Sequence, residues 1–280
     1  MGAGRGLCCA EWPVLHHGVH DGVVGLVKSC KSSPLLRCRC GANVRRWKVQ
    51  FVFVPLQDDN PLKYIQRPYV TYALIALNAL IFALTTVNGQ DAFVASFAVV
   101  PNELFAPFIR SPAYAGEISE NLTLISYMFF HGDFLHLAGN MIFLWVFGDN
   151  VEDAMGHVRF LAFYLLCGIF AGLVHAWITP DSDIPLIGAS GAVAGVISSY
   201  LMLHPRVRVW VLVFKILPMQ VSAAIVLGVW IVTQIFMVLV PEMGPVAWWA
   251  HIGGLIAGAL LVPVFKRPSV RLFDRGLTTA

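Results

Sequence analysis

Residues 186–196 read LIGASGAVAGV. A single hydroxyl, that of Ser190, stands between Ala189 and Gly191 at the start of a long apolar run, among neighbours that are nearly all alanine or glycine. Small residues let a second membrane helix approach closely. They also leave room around a nucleophile. The rest of the sequence decides how much weight each reading carries.

Composition sets the frame. Of 280 residues, 58% are hydrophobic and 12% charged, with a mean hydropathy of +0.71. Soluble domains carry about 25% charged residues, so the chain reads as a polytopic membrane protein whose first partner is the lipid bilayer. The formal net charge of +3 is small, and no nucleic-acid partner is expected. Five of the six cysteines, Cys8, Cys9, Cys30, Cys38 and Cys40, lie in the first 40 residues, without the spacing of a zinc or redox pair. Cys167 lies in an apolar run and reads as a small hydrophobe, so no disulfides are expected.

Residues 1–48 show no apolar run ending in a cleavage site and little periodicity. They read either as a stretch outside the native protein, from a start codon placed too far upstream, or as a disordered cytoplasmic tail. The expected organisation is an N-terminal cytoplasmic segment over 1–64, a membrane domain over 65–266 and a cytoplasmic tail over 267–280.

A membrane-spanning helix needs about 20 apolar residues. Six runs are candidates, 69–87, 134–148, 158–178, 187–203, 219–240 and 245–265, of which 187–203 is shorter and rich in small residues. Basic residues precede the first (Arg37, Arg39, Arg45, Arg46, Lys48, Lys63, Arg67), start the third (Arg159), separate the fourth from the fifth (Arg206, Arg208, Lys215) and follow the sixth (Lys266, Arg267, Arg271, Arg275). The alternate connections, 88–133, 179–186 and 241–244, hold one arginine, Arg110, and no lysine. The positive-inside rule then puts both termini in the cytoplasm. The expected fold class is an all-α, six-helix membrane bundle. Its long first outer connection, apolar in part ("FVASFAVVPNELF", "LTLISYMFF"), is embedded in the membrane. The run "VRVWVLVFKILP" at 207–218 reads as an interfacial lead-in to the fifth helix.

Polar groups inside membrane helices are costly and commonly functional. Three clusters stand out. His131 precedes the second helix, and His136 and Asn140 share one of its faces, four residues apart. Ser190 opens the fourth helix. His251 lies in the first turns of the sixth, with Gly254 and Gly258 on the same side. These three helices all run from outside to inside, so the clusters fall at one depth near the outer membrane face. Nucleophilic catalysis fits them. A serine hydroxyl needs a general base, for which His251 is placed. The helix N-terminus at Ser190 leaves backbone N–H groups free for an oxyanion, with His136 and Asn140 as further donors. No Asp or Glu is positioned to orient His251, so a dyad is expected rather than a triad. Gly191 and Gly195 on one helix, and Gly254 and Gly258 on another, form small-residue faces whose contact brings Ser190 to His251.

With these motifs the sequence resembles the rhomboid family of intramembrane serine proteases. The resemblance rests on "GASG" at 188–191, "AHIGGLIAG" at 250–258, the pair His136 and Asn140, His131 five residues earlier, and "FGDNVEDAMG" at 147–156, and it spans about residues 65–266. It implies hydrolysis of peptide bonds in or near the helices of single-span transmembrane substrates. Ser190 would be nucleophile and His251 base; His136, Asn140 and the backbone N–H of Ser190 would form the oxyanion hole, supported by Gly191 and His131, while Gly188, Gly195, Gly254 and Gly258 would pack the helices. It implies no cofactor and no metal, a multi-pass place in the inner (plasma) membrane of a bacterium, and gating of substrate entry by the fifth helix with the loop 241–244. One departure is plain: a Trp-Arg pair common in the family before the His131 position is replaced here by "NLTLISYMFF".

Plainer readings compete residue by residue. Ser190 alone would be a packing serine, and His136 with Asn140 interhelical hydrogen-bond glue. His157, His175 and His204 read as interfacial, Glu152 and Asp153 as a structural cap or turn, and Trp248 and Trp249 as an aromatic belt. At the level of function the alternatives are a rhomboid-like protein that binds membrane clients without cutting them, a small histidine-lined transporter or channel, and a structural scaffold. Oligomeric state and physiological substrate are not legible.

Overall fold

A computed structural model describes residues 53–105, 118–213, 217–239 and 246–273. The readings of residues 1–48, of Arg110, of the loop 241–244 and of the last residues of the tail lie outside that set.

The described chain is mostly helical, in the order β1 (Phe53–Asp58), α1 (Tyr69–Asn88), α2 (Gln90–Phe97), α3 (Pro101–Phe105), α4 (Glu120–Ser126), α5 (Phe134–Met155), α6 (His157–Ile178), α7 (Ser190–Leu203), β2 (Arg208–Val213), β3 (Leu217–Ser222), α8 (Ala223–Leu239) and α9 (Trp248–Phe265), with a single 3-10 turn at Tyr127–Phe129 before α5. By length and composition α1, α6 and α9 are long and apolar enough to cross a membrane, and α7 and α8 are shorter apolar helices. The 22 residues of α5 end in a polar turn with Asp149, Glu152 and Asp153.

The all-α expectation is corrected by a three-stranded antiparallel sheet in the order β1, β2, β3. The run 207–218, read as an interfacial lead-in, is instead the first strand of a hairpin and the start of its second. Its alternation is the reason: Val209 and Val211 are buried, whereas Arg208 and Trp210 are exposed. Residues 219–222 belong to β3, so α8 begins at Ala223 rather than at 219.

α7 is the axis of the bundle. Every residue from Gly191 to Tyr200 is buried, and α5, α6, α8 and α9 all pack against it. A helix apolar all round belongs at the centre. The outer helices show apolar side chains outward, as with Leu80 and Leu84 on α1 and Ile225, Val232 and Phe236 on α8, all exposed.

The segment before α1 is tied down by two carboxylates at the end of α5. Asp153 accepts backbone N–H bonds from Lys63 at 2.9 Å and from Tyr64 and Ile65 at 2.7 Å each. Glu152, wholly buried, accepts from the backbone of Val70 (3.0 Å) and Thr71 (2.8 Å) and from the Thr71 hydroxyl (2.7 Å), and meets His157 Nδ1 at 2.5 Å. The entry into α1 is thus fixed by acceptors placed where its first N–H groups have no partner within the helix. Replacing Asp153 with Ala strands three backbone donors. Asp153→Ala is expected to cost about 3 kcal/mol, read as a fall in the thermal midpoint of the detergent-solubilised protein.

The sheet is held by a third carboxylate. Asp58 accepts from the Tyr200 hydroxyl and from Asn150 Nδ2 at 3.0 Å. Burial is the largest influence on Asp58 and pushes it up to about 6. The raised value means that the folded state holds this proton more tightly than the unfolded chain. The stability it contributes is therefore present below the ordinary carboxylate range and is lost as pH rises through about 6. A thermal midpoint that falls between about pH 4 and pH 7 in the wild type should fall less in Asp58→Asn, which keeps an acceptor but does not titrate.

Candidate active site

The approach to Ser190 is an irregular segment whose backbone is satisfied by the connection between α1 and α5. Leu186 and Val99 exchange N–H···O bonds of 2.7 and 3.1 Å, and the Gly188 N–H donates to the Tyr127 carbonyl at 2.9 Å. The Ala189 N–H donates to His131 Nε2 at 3.5 Å. His131 is almost wholly buried, and burial, followed by the neighbouring His136, pushes its imidazole down to about 3. A neutral ring keeps the lone pair that Ala189 requires.

Gly188 has φ of +121°, which L side chains rarely adopt. Space forbids a side chain as well. A Cβ there would lie 2.7 Å from His136 Cε1 and Nε2 and 3.8 Å from Ser190 Oγ. The His136 ring and the Ser190 hydroxyl therefore border the same space, the one a side chain at Gly188 would fill. The His136 and His131 rings meet edge-on, with centroids 5.0 Å apart. Asp133 caps α5 by accepting from the His136 N–H at 2.8 Å, which fixes the turn that carries His136. Asn140 is buried, and its Nδ2 donates to the His136 carbonyl at 3.1 Å. At least one of its two N–H donors thus serves its own helix.

The other half of the site is carried by α9. A Cβ at Gly254 would collide with the Gly191 carbonyl, and one at Gly258 with the Gly195 carbonyl and the Ser198 hydroxyl. A Cβ at Gly195 would lie 2.6 Å from Cys167 Sγ, so α6 closes on the same stripe. A Cβ at Gly191 would lie 3.5 Å from the Ala250 carbonyl. The residue after Ser190 thereby abuts the residue before His251. His251 is 8% exposed and packs against Trp230 and Trp248. Among the described residues no hydrogen bond joins Ser190 Oγ to His251. His251 Nδ1 instead meets Gln234 Oε1 at 2.7 Å.

Gln234 is the residue that sequence reasoning missed. Its signal was present, an amide in the apolar run of α8, where a buried polar group needs a partner. Tyr127 was missed too: its carbonyl takes the Gly188 N–H, and its hydroxyl donates to the Gly168 carbonyl at 2.7 Å. His157 and His204 lie far along the chain from this cluster, at the end carrying Glu152 and the sheet, where His157 meets Glu152 and His204 packs on Tyr200.

Comparison with known proteins is consistent in one direction. A family model described as the Rhomboid domain matches residues 119–268. The mitochondrial Rhomboid protein 1 of Saccharomyces cerevisiae is 24% identical over 195 residues, 68% of this chain and 51% of that protein. RHOMBOID-like protein 5 of Arabidopsis thaliana is 32% identical over 145 residues, 52% and 44% of the two chains. Rhomboid protease GluP of Bacillus subtilis is 27% identical over 223 residues, 76% and 38%. The chain spans about half or less of the length of these relatives.

The glycine contacts yield a test. Gly254→Ala and Gly258→Ala drive a methyl into the backbone of α7 and are expected to cost about 2–3 kcal/mol each by overpacking. Gly228→Ala on α8, where a Cβ meets nothing within 4 Å, should leave the thermal midpoint unchanged or slightly raised.

Proposed function

This chain belongs to the rhomboid family, and from that premise we propose that it is an intramembrane serine endopeptidase acting through Ser190 and His251 on single-span transmembrane proteins. The observation that carries the reading is the contact of Gly191 with Ala250, which sets the residues beside the two reactive groups against one another.

In this reading the bundle has six spans, α1, α5, α6, α7, α8 and α9, with both termini cytoplasmic, in a bacterial inner membrane. The charge asymmetry of the connections supports the orientation. Membership alone fits more than one membrane, since relatives include mitochondrial proteins. At about 1.5 Å per residue the 14 residues of α7 rise about 21 Å, less than the ~30 Å of hydrocarbon. The Ser190 end of α7 then lies below the membrane surface, within reach of a substrate helix that has begun to unwind.

The proposed chemistry starts with Ser190 Oγ attacking the scissile carbonyl carbon while its proton passes to His251 Nε2. Negative charge collects on the carbonyl oxygen. The Ser190 backbone N–H, at the positive end of α7, and the His136 side chain are the donors placed to meet it. Asn140 contributes with the N–H that its bond to His136 leaves over. His251 gives its proton to the departing amine nitrogen as the C–N bond breaks, leaving an acyl ester on Ser190. Water then attacks the ester carbonyl while His251 takes its proton, and as the C–Oγ bond breaks His251 returns that proton to Ser190 Oγ, releasing the new carboxyl terminus.

The test needs no substrate. Full-length protein in detergent is treated with a fluorophosphonate probe beside Ser190→Ala and His251→Ala. Labelling of the wild type, abolished in both variants, is the expected outcome. A folded wild type that does not label would overturn the protease reading and favour client binding without cleavage.

A further inference from the structure

Gln234 lies in α8, in the sequence AAIVLGVWIVTQIFMVL, and is 4% exposed. A buried amide in such a helix is costly unless its hydrogen bonds are made. Both ends of this one are used. Nε2 donates to the Trp230 carbonyl at 3.0 Å, one turn back on the same helix. Oε1 faces His251 Nδ1 on α9 at 2.7 Å.

These two contacts fix each other. A carbonyl oxygen only accepts, so the NH2 group of Gln234 must be the end that faces Trp230. Oε1 is then the end that faces the imidazole, and it too only accepts. Nδ1 must therefore carry a proton. In a neutral ring the lone pair is left on Nε2, the nitrogen that a general base for Ser190 requires.

We propose that Gln234 is the positioning residue of the reactive pair: it holds His251 in the tautomer with Nδ1–H and keeps that bond as the ring gains a proton in the transition state. The proposal deepens the reading of Ser190 and His251 given above and rests on it. It also accounts for the missing acid. A neutral amide selects the tautomer and orients the ring without placing a net charge in a low-dielectric interior, where an ion is costly. The base is thereby set by a neighbouring helix, so its protonation pattern depends on how α8 sits against α9.

The test reads the tautomer and the reaction separately, on the full chain in detergent. Nitrogen-15 histidine spectra of the wild type, with His251 assigned by its loss in His251→Ala, should show protonated Nδ1 and unprotonated Nε2 at mildly alkaline pH. Gln234→Leu should give a mixture of tautomers or the reverse one. Its maximal rate of fluorophosphonate labelling should fall about 10- to 100-fold, as expected for losing a bond to a developing charge, with probe affinity little changed. Gln234→Glu presents an acceptor to Nδ1 in either protonation state and should restore the tautomer and most of the rate. Should Gln234→Leu fail to fold, Gln234→Met, of nearly equal length, takes its place. A folded Leu or Met variant with wild-type tautomer and rate overturns the proposal, and so does equal loss in the Glu variant, which would assign the effect to packing. If the wild type does not label at all, the protease reading falls, and the spectra of the resting protein still decide whether Gln234 sets His251.

Discussion

The rest of the structure depends on the burial of α7. A helix packed on every side has no face left for lipid or water, so each backbone group at its ends must find a partner in the protein. At its start that demand falls on residues 186–189, which are not helical. It is met from the connection between α1 and α5: Val99 bonds with Leu186, the Tyr127 carbonyl takes the Gly188 N–H, and His131 takes the Ala189 N–H. The long connection between α1 and α5 is therefore part of the site's foundation. Its short helices bring those acceptors to the one irregular stretch that could not otherwise be buried.

Close packing around α7 sets its second condition. Four glycines, Gly191 and Gly195 on α7 and Gly254 and Gly258 on α9, remove the side chains that would hold the helices apart. Cys167 and Ala171 on α6 fill the remaining width. Protein interiors accommodate added volume poorly, so the spacing of these backbones is fixed by which residues lack a Cβ. The side chains of Ser190 and His251 inherit that spacing, since they sit beside Gly191 and Ala250. Packing and the proposed chemistry thus share one constraint, carried by the opening stretch LIGASGAVAGV.

What the sequence made legible follows from the range of the interactions. The helices are set by apolar runs of local period, and the glycine stripes by four-residue repeats, so both could be read from single segments. The polar clusters at His131, His136, Asn140, Ser190 and His251 were legible because apolar surroundings make each costly. The sheet was not. β1 lies about 150 residues from β2, and Pro55 within it argues against a strand when read alone. Only β2 shows alternation, and its run of apolar residues matched a membrane lead-in equally well. The roles of Glu152 and Asp153 were half legible: an acidic turn could be seen, but not the seven-donor network that ties residues 63–71 and His157 to it, since those donors are mostly backbone N–H groups with no signature in the side chains. Gln234 was missed for a different reason. A search for an acid to orient His251 passes over an amide, although in a low-dielectric interior the amide is the cheaper choice.

The side chains packed around Ser190 and His251 follow the same choice. The side chains gathered near Ser190 are imidazoles, amides and a hydroxyl, and the carboxylate beside them, Asp133, is engaged in capping α5 through the His136 N–H, while the carboxylates Asp58, Glu152 and Asp153 lie at the other end of the long helices, beside the sheet and the entry to α1. In the proposed chemistry a permanent anion beside Ser190 would oppose the negative charge that develops on the substrate carbonyl oxygen, and screening by water would be weak there. Neutral donors avoid that penalty and respond only when charge appears. At the opposite end the demand is different: N–H groups at the start of α1 must be captured firmly, and ionised acceptors make the stronger bonds. In the proposed reading, then, carboxylates serve to anchor backbone N–H groups, at Asp133 as at Glu152 and Asp153, while the groups that would meet the substrate are neutral.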